Sequence, residues 1–307
     1  MKETNELIKM ARLEGVLGDP ETASLFIDSN KVLSSSGVEG LELKLKEQKD
    51  GVDVSVCVLP GVIIKKPVHF CFGILHKSKV QKINMNITME KGAVMNVFSH
   101  CIFPKKDPSR HVMQGKIVLK EGSTFRYFEK HIHSKEGTSR VYPHANVRIG
   151  KGARFFSDFE LIGGRVGLID IDYDMNCEAD SSSDFISKIS GRGRDIINVR
   201  ETATLSGENA KAVLRSRIAA RDETKAEVFN RIIAKAAGAF GHVDCTEILQ
   251  GNGKVKAYPE VEVLHPLARV THEANLGGVD NRQLETLMAR GLSKTQAEDL
   301  IIKGILS

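Results

Sequence analysis

Tryptophan is absent from the 307 residues and tyrosine occurs only four times. A β-protein that handles carbohydrate normally offers aromatic platforms to sugar rings, so this composition counts against that class. Cysteine is sparse: Cys57, Cys71, Cys101, Cys177 and Cys245, with no Cys-x-x-Cys pair. Those spacings exclude a four-cysteine zinc knuckle and a ferredoxin-type cluster run. An odd set of thiols reads as reduced cysteines packed mostly as small hydrophobes. No apolar run is long enough to span a bilayer, and Met1-Lys2-Glu3-Thr4-Asn5-Glu6 lacks the apolar stretch of a secretory signal. The expectation is a soluble cytoplasmic chain with no membrane segment. Forty-four Lys+Arg against 39 Asp+Glu give +5, without the concentrated basic stripe a nucleic-acid binder needs. Gly-x-x-x-x-Gly-Lys-Ser/Thr, Gly-x-Ser-x-Gly and His-Glu-x-x-His do not occur, which removes a phosphate-cradling loop and two common hydrolase sites.

What is present is strand periodicity. Residues 1–18 read as a short helix carrying Leu7, Met10, Ala11 and Leu13 and closed by Gly15 and Gly18-Asp19-Pro20. After that, Val52 to Val58 and Ile83 to Met89 alternate apolar and polar residues as half-buried strands do. Shorter runs follow at 125–133, 155–162, 184–189, 196–200, 212–218, 227–233 and 261–263. Helical patterns are almost missing between residues 50 and 265. Many strands without crossover helices leave an antiparallel sandwich or barrel, or a parallel solenoid. Lys91-Gly92-Ala93, Glu121-Gly122-Ser123 and Lys151-Gly152-Ala153 recur 30 residues apart, with Glu178-Ala179-Asp180-Ser181 at nearly the same interval. A fixed period with a small residue at each corner favours stacked coils over the sandwich.

The chain is helical again at its end. Asp280 with Gln283 predicts a capped helix bearing Leu284, Leu287 and Met288, with Gly291 just past it. Ser293 with Gln296 forms a capping-box pattern for a second helix carrying Ala297, Leu300 and Ile301, ended by Gly304. Two short helices bury little by themselves. They pack on the β-body or receive a partner.

The chemistry-bearing residues cluster late: His242-Val243-Asp244-Cys245-Thr246-Glu247 and Val270-Thr271-His272-Glu273-Ala274. A thiol, an imidazole and a carboxylate suit a borderline or soft metal, or a nucleophile and base as in cysteine hydrolases. His272 and Glu273 are adjacent and face opposite sides of a regular strand. One chain therefore cannot aim both at one ion unless the strand ends in a turn or meets a second copy. His242 is a weak ligand candidate. His69, His76, His100, His111, His131, His133 and His144 are scattered; His131 and His133 share parity and could join a third ligand, although exposed strand histidines are the simpler reading. Gly191-Arg192-Gly193-Arg194 reads as a solvated turn. Asn84 and Asn86 share one strand face and read as polar ladder residues.

These segments resemble the SufB/SufD family of iron–sulfur cluster assembly scaffolds. Cys245-Thr246-Glu247-Ile248-Leu249-Gln250-Gly251 is similar to a CDxxLxG segment of SufB, and Tyr258-Pro259-Glu260-Val261-Glu262-Val263 to the strand after it. Val270 to Gly277 resembles the His-Glu-Ala segment of SufB and its SufD counterpart, and Asp280 to Leu306 the shared helical tail. Ser99-His100-Cys101-Ile102-Phe103-Pro104 is similar to an earlier SufB segment. The resemblance runs from about residue 50 to the end. It implies an all-β core, a right-handed parallel β-helix with short N-terminal and C-terminal helical segments. The implied division is a helical and linker segment at 1–45, the β-helix at 46–277 and a SufC-docking helical segment at 278–307.

By the same resemblance, Cys245, His272 and Glu273 fall on the cluster-site positions at a dimer interface, where they would ligate a nascent iron–sulfur cluster. The implied partners are a second copy, a SufC-like ABC ATPase, and apo iron–sulfur recipient or carrier proteins. The chain would be a scaffold and not itself an enzyme. The N-terminal cysteine motif and the sulfur-accepting cysteine of bacterial SufB have no counterpart here, and the tail is shorter. These departures resemble a compact archaeal-type SufB. The alternatives are a SufD-like subunit that pairs with a separate SufB, a carbohydrate-active β-helix enzyme, and a cysteine hydrolase using Cys245 and His272.

Overall fold

Alternation along each strand drives the architecture: in Ile197, Val199, Glu201, Ala203 and Leu205 every second side chain is buried, and the residues between are not. A strand with one buried face needs a second sheet across from it. In the computed structural model, which describes residues 2–16, 18–75 and 80–306, that second face is supplied by the chain's own next half-coil. The strands form two sheets of ten and nine, and from Gly51–Val58 onward successive strands alternate between them. One sheet runs from Ser24–Asp28 through Val68–Gly73, Val94–Phe103 and Thr124–His133 to Phe240–Leu249 and Arg269–Gly278. The other runs from Gly51–Val58 to Lys225–Ala234 and Lys254–Val263. Neighbours along this stack are parallel, as in Arg154 beside Thr124 or Lys254 beside Lys225. The protein is a parallel β-solenoid, and its apolar lumen is one continuous core.

The corner repeat has a structural cause. Gly92, Gly122 and Gly152 adopt φ of 69°, 67° and 64°, and the column continues through Asp180 and Asn209 at 57° and 56°. These are left-handed conformations that glycine, aspartate and asparagine tolerate best. Each N–H donates to the next coil: Gly92 to Glu121 O, Gly122 to Lys151 O, Gly152 to Ala179 O, all 2.9 Å. The residue after the corner points into the lumen and is small: Ala93, Ser123, Ala153, Ser181, Ala210 and Ala239 are at most 1% exposed. The 30-residue spacing persists only through the early coils. Ser182 pairs with Arg154 and Lys211 with Ser182, so later coils shorten by one or two residues.

The stack begins earlier than expected. Ser24–Asp28 lies within the segment assigned to helix and linker, yet it is a parallel neighbour of Val68–Gly73. Both faces of that strand are buried, because Leu25 and Ile27 enter the lumen while Phe26 meets Leu7, Ile8 and Leu75 outside. A strand covered on both faces carries no alternation to detect. At this end two antiparallel strands, Lys31–Ser36 and Leu41–Gln48, close the two sheets. Helix Lys2–Ala11 lies across Ser24–Asp28 and its neighbours.

At the far end, Asp280 Oδ1 accepts from Gln283 N (2.8 Å) at the start of helix Asn281–Ala289. Ser293 and Gln296 exchange reciprocal capping bonds of 2.9 and 3.3 Å at helix Lys294–Leu306. That second helix does not stop at Gly304. It continues to Leu306, because Ile302 and Leu306 bury against Ala219 and Ile248 on the flank of the solenoid. No helix among the described residues is long and apolar enough to cross a membrane. His76 lies outside the described residues.

Candidate functional site

The last coil, Lys254–Val263 and Arg269–Gly278, ends both sheets, so each of its strands has a sheet neighbour on one side only. His272 and Glu273 lie on its second strand and are exposed. In register, His272 stands beside Val243 and Glu273 beside Asp244. Because Val243 faces the lumen and Asp244 faces outward, His272 and Glu273 take opposite sides of the strand, as their adjacency predicts. Glu273 meets Asn275 at 3.3 Å and is otherwise open to solvent. His242 donates to or accepts from Thr271 Oγ1 at 2.8 Å on the outer face.

Cys245 is one coil further in, beside Ser216 on one side and Ala274 on the other. Its side chain points into the lumen and is 0% exposed. Burial pushes its thiol up to about 11. Asn230 reaches from the opposite sheet: its amide nitrogen donates to Glu201 Oε2 (3.3 Å) and Phe229 O (3.2 Å), and the other amide atom lies 3.7 Å from Cys245 Sγ. Ser187 Oγ donates to Glu201 Oε1 at 2.5 Å and Ser216 Oγ to Glu247 Oε1 at 2.8 Å. Burial raises both carboxylic acids to about 7. Cys245 therefore belongs to a polar thread inside the lumen. A single chain does not gather Cys245, His272 and Glu273 into one close ligand set among the described residues.

A different set does come together. Cys101, Glu129 and His131 place their ligand atoms within 4.8 Å of one another, all buried. Cys101 and His131 are register neighbours on adjacent strands, and so are Ser99 and Glu129. His111 faces them from the other sheet with Nε2 4.0 Å from Cys101 Sγ. His131 and His133 are 2% and 8% exposed, which corrects their reading as exposed strand histidines. They share parity with Phe125 and Tyr127, whose side chains fill the lumen. That parity was the available signal. Burial pushes His111 down to about 3, while its imidazole neighbours hold the Glu129 carboxyl below its ordinary range against its own burial.

The remaining candidates are structural. Arg192 pairs with Asp299, Arg194 with Glu223, and Gly193 N donates to Asp222, so the arginine-rich turn carries matched charges. Asn84 donates to Asp53 at 2.7 Å on the outer face. In the tail, Ala297, Ile301, Ile302 and Leu306 are buried, whereas Leu300 and Ile305 remain exposed and Asn281–Ala289 buries no residue.

Residues 74–305 match the family model described as "SUF system FeS cluster assembly, SufBD core domain". The chain is 36% identical over 282 residues to an iron–sulfur cluster assembly SufBD family protein of Methanocaldococcus jannaschii, covering 92% of this chain and 89% of that protein. It is 32% identical over 309 residues to another such protein of Pyrococcus horikoshii, covering 100% and 94%. Similarity to the iron–sulfur cluster assembly protein SufB of Bacillus subtilis is 32% over 73 residues, 24% of this chain and 16% of that one. The solenoid with its open last coil, the late cysteine and His-Glu pair, and a family match spanning most of the chain lead to one conclusion: this protein belongs to the SufBD family of iron–sulfur cluster assembly proteins.

Proposed function

We propose that the chain is a SufB-type scaffold that works as a homodimer, joined through its open last coil and driven by a SufC-like ATPase held at its C-terminal helices. The observation that carries this reading is the unfinished end of the solenoid. Tyr258, Leu264, Leu267 and Leu276 are exposed there by 43%, 57%, 71% and 52%, beside strand edges without a neighbour. Exposed apolar area next to unpaired backbone is what association covers. His272 and Glu273 lie on that same coil, and a second copy supplies the ligands that strand parity denies to one chain.

The nascent cluster is cargo, with Cys245, Glu273 and His272 as its proposed ligands. A thiolate is the natural anchor for iron and sulfide. Cys245 is sealed inside the lumen as a thiol, so loading has to lift the last strand and expel its proton. Helix Lys294–Leu306 offers a handle for that motion. Asp299 pairs with Arg192 and Arg221, and Ile302 packs on Ala219 and on Ile248, which shares the Cys245 strand. Nucleotide hydrolysis in the partner supplies the work, and apo iron–sulfur or carrier proteins receive the product. The runner-up is a SufD-like subunit whose own partner is a separate SufB.

Anaerobic reconstitution with iron and sulfide tests the reading. The wild-type protein should develop cluster absorption and Mössbauer signals, and Cys245→Ser should lose most of both. Spectra unchanged by Cys245→Ser would overturn the assignment of the anchor.

A further inference from the structure

We propose that the lumen holds a second, resident metal site for one divalent cation of borderline softness, zinc or iron(II), formed by Cys101 Sγ, the Glu129 carboxylate, His131 Nε2 and His111 Nε2. It is several coils from the open end and independent of the cluster reading.

Cys101 Sγ is 3.5 Å from Glu129 Oε1 and 4.0 Å from His111 Nε2, and His131 Nε2 is 2.8 Å from Glu129 Oε1. Bond lengths of ~2.0 Å to nitrogen or oxygen and ~2.3 Å to sulfur, arranged tetrahedrally, require edges of roughly 3.3–3.6 Å. The 3.5 Å edge already fits and the 2.8 and 4.0 Å edges change by about 0.5 Å, while His111, which lies outside the group of three, has to close further on Glu129 and His131.

Protonation is set by the surroundings. Gln81 Nε2 donates to Ser29 O (2.8 Å) and Gly73 O (3.1 Å), which fixes its Oε1 as an acceptor toward His111 Nδ1 at 2.9 Å. His111 Nδ1 therefore carries the proton, and Nε2 presents its lone pair to Cys101. A ligating histidine whose far nitrogen donates to an amide carbonyl oxygen is the usual supporting arrangement in metal sites. His131 has the equivalent support, since its Nδ1 lies 3.2 Å from His133 Nε2. Phe103 packs its ring against His111, His131 and His133 at 5.2, 6.0 and 4.9 Å, and Phe159 packs on His131 at 4.8 Å. The imidazoles are thereby held in place.

A second observation points to an absent ligand. Glu129 is 3% exposed, and its Oε2 has no hydrogen-bond partner. A buried carboxylate with an idle oxygen is costly unless a charge joins it. The cation forms four ligand bonds, the Cys101 S–H bond breaks and its proton leaves to solvent. The His131 proton moves from Nε2 to Nδ1 and donates to His133 Nε2, whose own proton shifts to its Nδ1. Two positive charges then meet one thiolate and one carboxylate, so the closed site is neutral, as a dry interior demands. Sulfur, oxygen and nitrogen donors with no free position suit zinc or iron(II) and fit poorly with magnesium or calcium.

The full-length chain, stripped of metal under reducing anaerobic conditions, is titrated with cobalt(II) and zinc, alongside Cys245→Ser, Cys101→Ser and Glu129→Gln. The proposal expects one ion per chain by native mass spectrometry and a thiolate-to-cobalt charge-transfer band. Both should survive Cys245→Ser. Cys101→Ser should abolish the band, and Glu129→Gln should weaken binding at least tenfold while circular dichroism stays unchanged. Should either lumen variant misfold, X-ray absorption on zinc-loaded Cys245→Ser protein decides, with one sulfur and at least two imidazoles expected around the zinc. A wild-type chain that takes up no stoichiometric ion, a band that follows Cys245, or a zinc shell without sulfur overturns the site. Reconstitution with iron and sulfide reads the cluster separately, so either assignment can fail alone.

Discussion

At the N-terminal end of the stack, Ser24–Asp28 is buried on both faces, an antiparallel strand closes each sheet, and a helix covers the outside. At the C-terminal end the last two strands are left with exposed side chains, and the helices that follow fold back along the flank without covering the end. Both ends face the same physical problem, since a stack of parallel coils always leaves unpaired backbone at its extremities. One end solves it within the chain. The other leaves its edge exposed, the surface proposed above to receive a second copy, and His272 and Glu273, two of the proposed ligands, lie there.

Substitutions sharpen this contrast, beginning with the largest effect. Phe26 is 0% exposed and packs under helix Lys2–Ala11 with Leu7 and Cys71. Phe26→Ala should cost about 3–5 kcal/mol of unfolding free energy, seen as a lower denaturation midpoint at unchanged slope. A cost near 1 kcal/mol would mean that the helix is a loose appendage. Removal of residues 279–307 should abolish capture of a SufC-like ATPase and remove stability of about 3 kcal/mol. That loss follows from uncovering Ala219 and Ile248 and leaving the buried Arg221 without Asp299. Retained capture in a pull-down would place the docking surface on the solenoid. The smallest expected effect on folding is at the open end, where Leu267→Ser should change stability by less than about 0.5 kcal/mol. Sedimentation should nevertheless show the variant shifted toward monomer. If Leu267→Ser destabilises the fold as Phe26→Ala does, the last coil is core and the contrast between the ends fails.

Much of the solenoid was legible because its strands are half-buried. Val52 to Val58 and Ile83 to Met89 alternate in sequence and in burial alike. The corner glycines mark the period because only a few residue types tolerate their backbone conformation. Ser24–Asp28 and Val68–Gly73 carry no legible alternation, because burial on both faces erases it. The helix expected to end at Gly304 runs on to Leu306, because tertiary packing outweighs glycine's weak helix propensity. At the chemical sites the outcome is mixed. The opposed placement of His272 and Glu273 follows from their adjacency alone. The convergence of His111 with Cys101, Glu129 and His131 depends on which coil faces which across the lumen.

The amino-acid sequence by itself determined the local and periodic features: alternating strands, left-handed corners, a cap at each tail helix, and the lack of any close-spaced cysteine motif. Each of these depends on residues near one another in the chain or one coil apart. Only the tertiary structure decided which lumen side chains meet, how deeply Cys245 is sealed, and which end of the stack is left open. Those outcomes depend on contacts between strands far apart in the chain, across the lumen for Cys101 and His111 and along one sheet for Gln81 and His111. A register slip of one residue would turn each such side chain out of the lumen. The register is held by the summed packing of the whole stack, which no single segment encodes.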